Sequence, residues 1–251
     1  MEAGFYMMLF EFAYSPDYDR RIGVLSKMCP EQWSFGQERN SILKSYIENT
    51  FIKVYDENKI FIYDEYCLMN TGLYTGFFEE VYLLFTLNRN DGRQKWFLDG
   101  FYTSYQLMNM GINEFPPRAD YFFNPAAMVF DPKGDIIPQY SHILNDMDNL
   151  RRLPFPLQES SNLVTLLDGA VKRAKNMISE NYRTAVPQYY KGRIQLLIPI
   201  CLLDEYIPDL AMVVSKNESD TQYLGHTCLT LQMAYNNARL IGRVDSFWLH
   251  P

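Results

Sequence analysis

Two apolar, β-prone runs, VYLLFTLNR (81–89) and QKWFLDGFYT (94–103), flank Asn90-Asp91-Gly92. Residues that tolerate left-handed backbone between such runs mark a hairpin, because that geometry matches the twist of the strands. This commits part of the chain to antiparallel pairing. KIFIY (59–63) and YCLMN (66–70) precede the hairpin as short strand-like runs. RIQLLIPICL, DLAMVVS and LGHTCLTL follow in the last third, separated by the turn-rich DEYIPD and KNESDTQYLG.

Helical spacing appears between these groups. Ile42, Leu43, Tyr46, Ile47 and Phe51 predict a helix over residues 41–55. Leu163, Leu166, Leu167, Ala170, Ala174, Met177 and Ile178 predict a second, amphipathic one, with Ser160 or Ser161 as its cap. Residues 111–156 are rich in proline and turn signals. They read as loops around a short strand, AAMVF (126–130), and a short helix near 141–150. Strands joined by hairpin-like connections, with helices between the groups, predict an α+β fold: a mixed, largely antiparallel sheet or sheets with packed helices. The expected layout is a single domain over 1–251, with an N-terminal helical part to about residue 57 and a mixed core over 58–251.

Composition excludes more than it assigns. With 47% hydrophobic residues and a mean hydropathy of −0.24, the chain reads as ordinary globular protein. The apolar run FYMMLF at Phe5 to Phe10 has no basic leader, is too short to span a bilayer and runs into Glu11. Four widely spaced cysteines without a CxxC pair, and only three histidines, predict reduced thiols in a cytoplasmic protein and no metal site. No GxGxxG, P-loop or GxSxG pattern occurs, so no cofactor is expected.

Four polar stretches are the candidate site. In MAYNNARLIGR (233–243), Met233, Ala234, Leu240 and Ile241 form an apolar stripe into which Asn237 falls. Gln232, Asn236, Arg239 and Arg243 fall on a polar face. Asn237 is expected to pin the helix to neighbouring backbone, while Asn236 and Arg239 point together at an anion or a base edge. Internal bracing is the competing reading. Between 172 and 193, six basic residues (Lys172, Arg173, Lys175, Arg183, Lys191, Arg193) meet one acid, Glu180, with Tyr182, Tyr189 and Tyr190 interleaved and Gln188 beside them. Cations suit phosphates and aromatic faces suit unstacked bases; a solvated helix face is the plainer alternative.

In NTGLYT, Asn70 and Gly72 permit a tight turn, and Thr71, Tyr74 and Thr75 add hydroxyls, so the loop could cradle a phosphate or simply end a strand. Arg118 and Asp120 in PPRADYF brace a loop, or Arg118 joins Arg239 as a phosphate clamp. His226 alternates with Leu229 and Leu231, which places it on one strand face with Cys228 and Thr230.

The strings ILKSYIENTF, MNTGLYT with FEEVYLLF, WFLDGF, PPRADYF, NYRTAVPQYYKGRIQLLIPICLLD and CLTLQMAYNNARLI occur in this order. Together they resemble the bacterial domain-of-unknown-function family DUF3825 over about residues 9–249. The resemblance implies proximity to RNA-binding modules such as cold-shock or OST-HTH domains, and no established activity. His142, in QYSHIL, is the histidine whose context matches the family pattern, and it is the candidate acid or base. The expected function is RNA or nucleotide binding, single-stranded RNA favoured. The alternatives are a metal-independent enzyme on RNA ends or nucleotides, with Arg118, Asn236 and Arg239 stabilising phosphoryl charge, and an interaction scaffold. No protein partner is indicated, and no membrane is expected.

Overall fold

The computed structural model of the chain describes residues 6–217, 219 and 222–251. Phe5 of the apolar run, and Glu218, Asp220 and Thr221 of the predicted KNESDTQYLG turn, lie outside them. Backbone packing divides the chain into two compact units, Met1–Asp120 and Tyr121–Pro251, each with its own five-stranded sheet. The class is α+β, and each sheet is antiparallel except for one parallel pair at an edge. Among the described residues, no helix is long and apolar enough to cross a membrane.

The first unit runs α1 (Leu9–Phe12), β1 (Ala13–Tyr14), α2 (Tyr18–Met28), α3 (Ser41–Asp56), β2 (Phe61–Ile62), β3 (Tyr66–Tyr74), β4 (Glu80–Leu87), β5 (Trp96–Thr103) and α4 (Ser104–Asn109). Its strand order is β1-β5-β4-β3-β2. The predicted stripe of α3 is buried, and Phe51 packs with Phe12 at 5.2 Å and Phe85 at 6.2 Å between ring centres. On another side, Leu68, Tyr82 and Leu84 pack with Leu107 of α4 and with Ile112. The β4–β5 hairpin forms as expected, but its loop is longer than Asn90-Asp91-Gly92. Asn88 closes it, donating its backbone N–H to Lys95 O and its side-chain amide to Gln94 O, both at 2.9 Å.

At the end of α3, Glu57 pairs with Lys53 and Lys59 and accepts the Asp120 amide at 3.1 Å. Burial pushes this carboxyl up, but the lysine hydrogen bonds and the Asp120 amide outweigh it and hold it below its ordinary 4.5. A depressed folded-state value stabilises the fold above the unfolded value and loses that contribution as pH falls. The stability gap between wild type and Glu57→Gln should therefore be ~1 kcal/mol or less at pH 7 and shrink below pH 4. Urea titrations at both pH values check this, and a gap that widened in acid would refute it.

The second unit begins with a 3-10 turn, Pro125–Met128. It continues with β6 (Asp135–Pro138), α5 (Tyr140–Asn145), α6 (Met147–Arg152), α7 (Leu163–Glu180), β7 (Val186–Tyr190), β8 (Arg193–Ile200), β9 (Leu210–Lys216), β10 (Gln222–Leu229) and α8 (Leu231–Ile241). The strand order is β6-β10-β9-β8-β7. Leu167, Ala170, Ala174 and Ile178 of α7 bury against Leu196, Ile198, Met212, Val214 and Cys228 of the sheet. Gln188 and Gln195, paired across β7 and β8, lie on the α8 side, where Asn237 of α8 reaches Gln188.

Several local expectations are corrected here. AAMVF is not a strand: Pro125 at the first position of the 3-10 turn fixes φ and removes a ladder donor. The helix expected near 141–150 is two, broken at extended Asp146, whose carboxylate caps α6 by accepting the Asp148 and Asn149 amides. Asn162, not Ser160 or Ser161, precedes α7, and the Ser160 hydroxyl accepts the Asn162 amide instead. VPQYY forms a strand, joined to β8 by a turn in which Lys191 (φ 45) and Gly192 (φ 81) are both left-handed. That is the two-residue geometry hairpins favour.

Candidate functional site

The NTGLYT segment is a bulge and a turn held by its own side chains. Register slips between Asn70 and Leu73 where β3 meets β4, and Gly72 sits at φ 73. The Gly72 amide donates to Asn70 Oδ1 at 2.9 Å, and the Leu73 amide to Thr71 Oγ1 at 3.2 Å. Thr71 Oγ1 in turn donates to Val81 O at 2.6 Å, and Tyr46 Oη to Thr71 O at 2.9 Å. The Phe77 and Glu79 amides both donate to Thr75 Oγ1. These donors are already engaged, and the loop braces the strand end. Arg118 does meet this segment: its guanidinium donates to Tyr74 Oη at 3.3 Å, on an exposed surface. Asn70 is buried, with its amide on Pro116 O at 3.3 Å.

In the second unit, α8 differs from its predicted faces. Met233 is 39% exposed, while Ala234, Tyr235, Ala238, Arg239 and Leu240 are buried. The two alanines let the helix approach closely, and Tyr235 and Arg239, one turn apart, share the buried side. Arg239 is therefore only 5% exposed, not part of a solvent face, and Arg243 lies beyond the helix end at Ile241. Asn237 is a brace, but onto a side chain rather than backbone. Its amide donates to Gln188 Oε1 at 3.1 Å, and Gln188 passes a bond to Gln195 Oε1 at 3.2 Å. Gln188, 1% exposed, serves this network. The Asn236 Oδ1 atom is enclosed without a hydrogen-bond partner among the described residues.

Of the basic-aromatic stretch, Arg193 lines one opening. Beyond Leu196 and Val214 the ladder between β8 and β9 ends. Arg193, Ile194 and Gln195 on one strand and Ser215 and Lys216 on the other line a cavity of about 460 Å³, closed by Phe123, Asn124 and Val129. In the adjoining β7–β8 hairpin, Lys191 lies over the Tyr190 ring at 5.3 Å, and Tyr189 packs edge-on to Tyr121 at 5.0 Å. The volume falls in the range of small-ligand sites. Lys172, Arg173 and Lys175 on α7 do not line it. Arg173 pairs with Glu205 at 3.0 Å and Lys175 with Asp135 at 2.5 Å.

Behind the cavity stands a histidine that is not on the face the sequence pattern predicts. β10 bulges between Gly225 and Thr227, so His226 drops out of the alternation that carries Cys228 into the core. Its Nε2 lies 2.7 Å from Ser215 Oγ and its Nδ1 lies 3.2 Å from Gln139 Oε1. Burial, then His142, then Arg193 lower its pKa from the ordinary 6.5. His142 itself is exposed on α5, three residues after Gln139, near enough to His226 to oppose its protonation. Ser215, Gln139, Gln195, Asn124 and Lys216 carry no local signal in the sequence; tertiary structure brings them here.

No group of three or more His, Cys, Asp or Glu residues with metal-holding geometry occurs among the described residues. Neither the curated proteins nor the solved structures contain a match to this chain. The family model of a domain of unknown function, DUF3825, matches residues 25–248, and the chain belongs to that family.

Proposed function

We propose that the open end of β8 and β9 binds single-stranded RNA or a nucleotide. The observation that carries this reading is the cavity of about 460 Å³ under the Lys191-Gly192 turn, lined by Arg193, Lys216, Gln195, Asn124 and Phe123. Arg193 and Lys216 supply charge for phosphates, Lys191 and Tyr190 extend it in the adjoining β7–β8 hairpin, and Phe123 offers a ring for a base. Gln195 and Asn124 carry amides that can read a base edge. The chain is acidic overall, at net −7, so binding depends on this local charge.

Titration of a fluorescent single-stranded RNA should show affinity falling with salt, with a log–log slope near −2 for about three phosphate contacts. The Lys191→Glu, Arg193→Glu double variant should weaken binding at least tenfold and reduce the slope by about 1.4 units, the share of two phosphate contacts. Both side chains are exposed, so the fold should be unaffected. Affinity that ignores salt, or survives the double reversal, would remove RNA from this cavity.

A further inference from the structure

We propose that Ser215 is a base-activated nucleophile toward carboxylic esters, with His226 as its general base and Gln139 as the positioning residue. Three elements assemble the group. Gln139 follows β6, and its backbone N–H donates to Gly225 O at 2.8 Å, which ties it to the residue before the bulge. The bulge aims His226 between Gln139 and β9, and Ser215 sits on β9 where β8 has fallen away. Ser215 lines the cavity and is partly exposed.

The tautomer follows from the partners. Gln139 Oε1 can only accept, so the imidazole proton resides on Nδ1. Nε2 then carries the lone pair, and at 2.7 Å the partner able to donate to it is the Ser215 hydroxyl. The depressed pKa of His226 keeps the ring neutral near pH 7, the form a base requires. A neutral amide in the third place does for this ring what a carboxylate or asparagine does in other nucleophile–histidine sites: it fixes orientation and tautomer.

The reaction balances with water alone. Ser215 Oγ bonds to the acyl carbon as its proton passes to His226 Nε2. The carbon–oxygen bond to the alcohol then breaks, and Nε2 returns the proton to the leaving oxygen. Water attacks the acyl-serine through the same nitrogen, releases the carboxylic acid and restores the hydroxyl. Arg193 and Lys216 line the same cavity, so their positive charge is available to the acyl oxygen as it becomes anionic.

The test is covalent labelling of the full chain with an alkyl fluorophosphonate, with the modified residue located by mass spectrometry. In that reaction the Oγ–P bond forms, fluoride leaves and Nε2 takes the proton. Labelling should fall on Ser215, vanish in Ser215→Ala and slow at least 100-fold in His226→Ala. Gln139→Leu should slow it about tenfold, whereas Gln139→Glu, which keeps the acceptor, should restore it. A purely structural Gln139 would show no such rescue. Release of nitrophenolate from 4-nitrophenyl butyrate should follow the same order. Melting curves identify variants that fail to fold; for these, Ser215→Cys replaces the readout, and iodoacetamide should alkylate that thiol faster than free cysteine. No labelling of folded wild type, labelling at another residue, or rates indifferent to His226 and Gln139 would each overturn the assignment. No RNA enters the measurement, so its outcome is separate from that of the binding titration.

Discussion

Phe51→Ala should destabilise the first unit by ~3–5 kcal/mol, the range for truncating a buried phenylalanine. Phe51 is fully enclosed, with Phe12, Tyr55 and Phe85 around its ring at 5.2–6.2 Å. Three rigid aromatic neighbours cannot collapse into the space left behind, so the cavity cost adds to the lost transfer free energy. The melting temperature should fall by on the order of 10 °C. Phe51→Leu, which keeps most of the volume, should cost less than ~1.5 kcal/mol. Urea denaturation separates the two, and a Phe51→Ala loss below ~1 kcal/mol would mean the ring is not packed as described. Ser215 labelling should be untouched in the leucine variant, because Phe51 belongs to the other unit.

The second large effect is expected at Asn149, which is buried at the start of α6. Its Oδ1 accepts from Thr227 Oγ1 at 2.7 Å and Arg152 Nη1 at 2.8 Å, and its Nδ2 donates to His142 O at 3.3 Å. Arg152 also donates to Cys228 O at 2.9 Å, so one amide links α5, α6 and the strand that carries the bulge. Asn149→Leu strands several of these groups at once, each costing ~1–3 kcal/mol when buried, for an expected total of ~2–4 kcal/mol. Asn149→Asp keeps both acceptor contacts, one of them from the Arg152 guanidinium, and sets an oxygen against His142 O in place of one bond, so it should cost less. Calorimetry on the pair gives the order, and equal losses would show that the acceptor contacts contribute nothing. Gln139 precedes α5, the helix whose His142 carbonyl accepts from Asn149, so fluorophosphonate labelling should slow in Asn149→Leu.

Periodicity served the sequence reading well where helices are long and one-sided. Leu163 to Ile178 and Ile42 to Phe51 carry enough repeats that the buried stripe follows from spacing alone, and both helices occur where expected. Short elements were harder. Ala126 and Val129 look β-prone, yet Pro125 turns the segment into a 3-10 turn. Spacing predicts one helix across Asp146, whose extended backbone instead ends α5 while its carboxylate caps α6. On α8 the polar pattern was visible, but Arg239 lies inside, since a helix face is defined by what it packs on and not by residue type.

The sequence by itself determined the family, the α+β class, the main amphipathic helices and the hairpin around Asn90-Asp91-Gly92. Each of these depends on residues close together or on strings long enough to be distinctive. Tertiary structure alone decided the site. Gln139 and His226 are 87 residues apart, and Ser215 and His226 are 11 apart on neighbouring strands. Their meeting needs a parallel strand pair, a bulge that shifts the two-residue alternation by one, and a ladder that ends early between β8 and β9. Local periodicity assumes regular strands, and a one-residue slip reverses every face it assigns. That is why His226 was assigned to the face of Cys228, while in the fold it turns to Ser215.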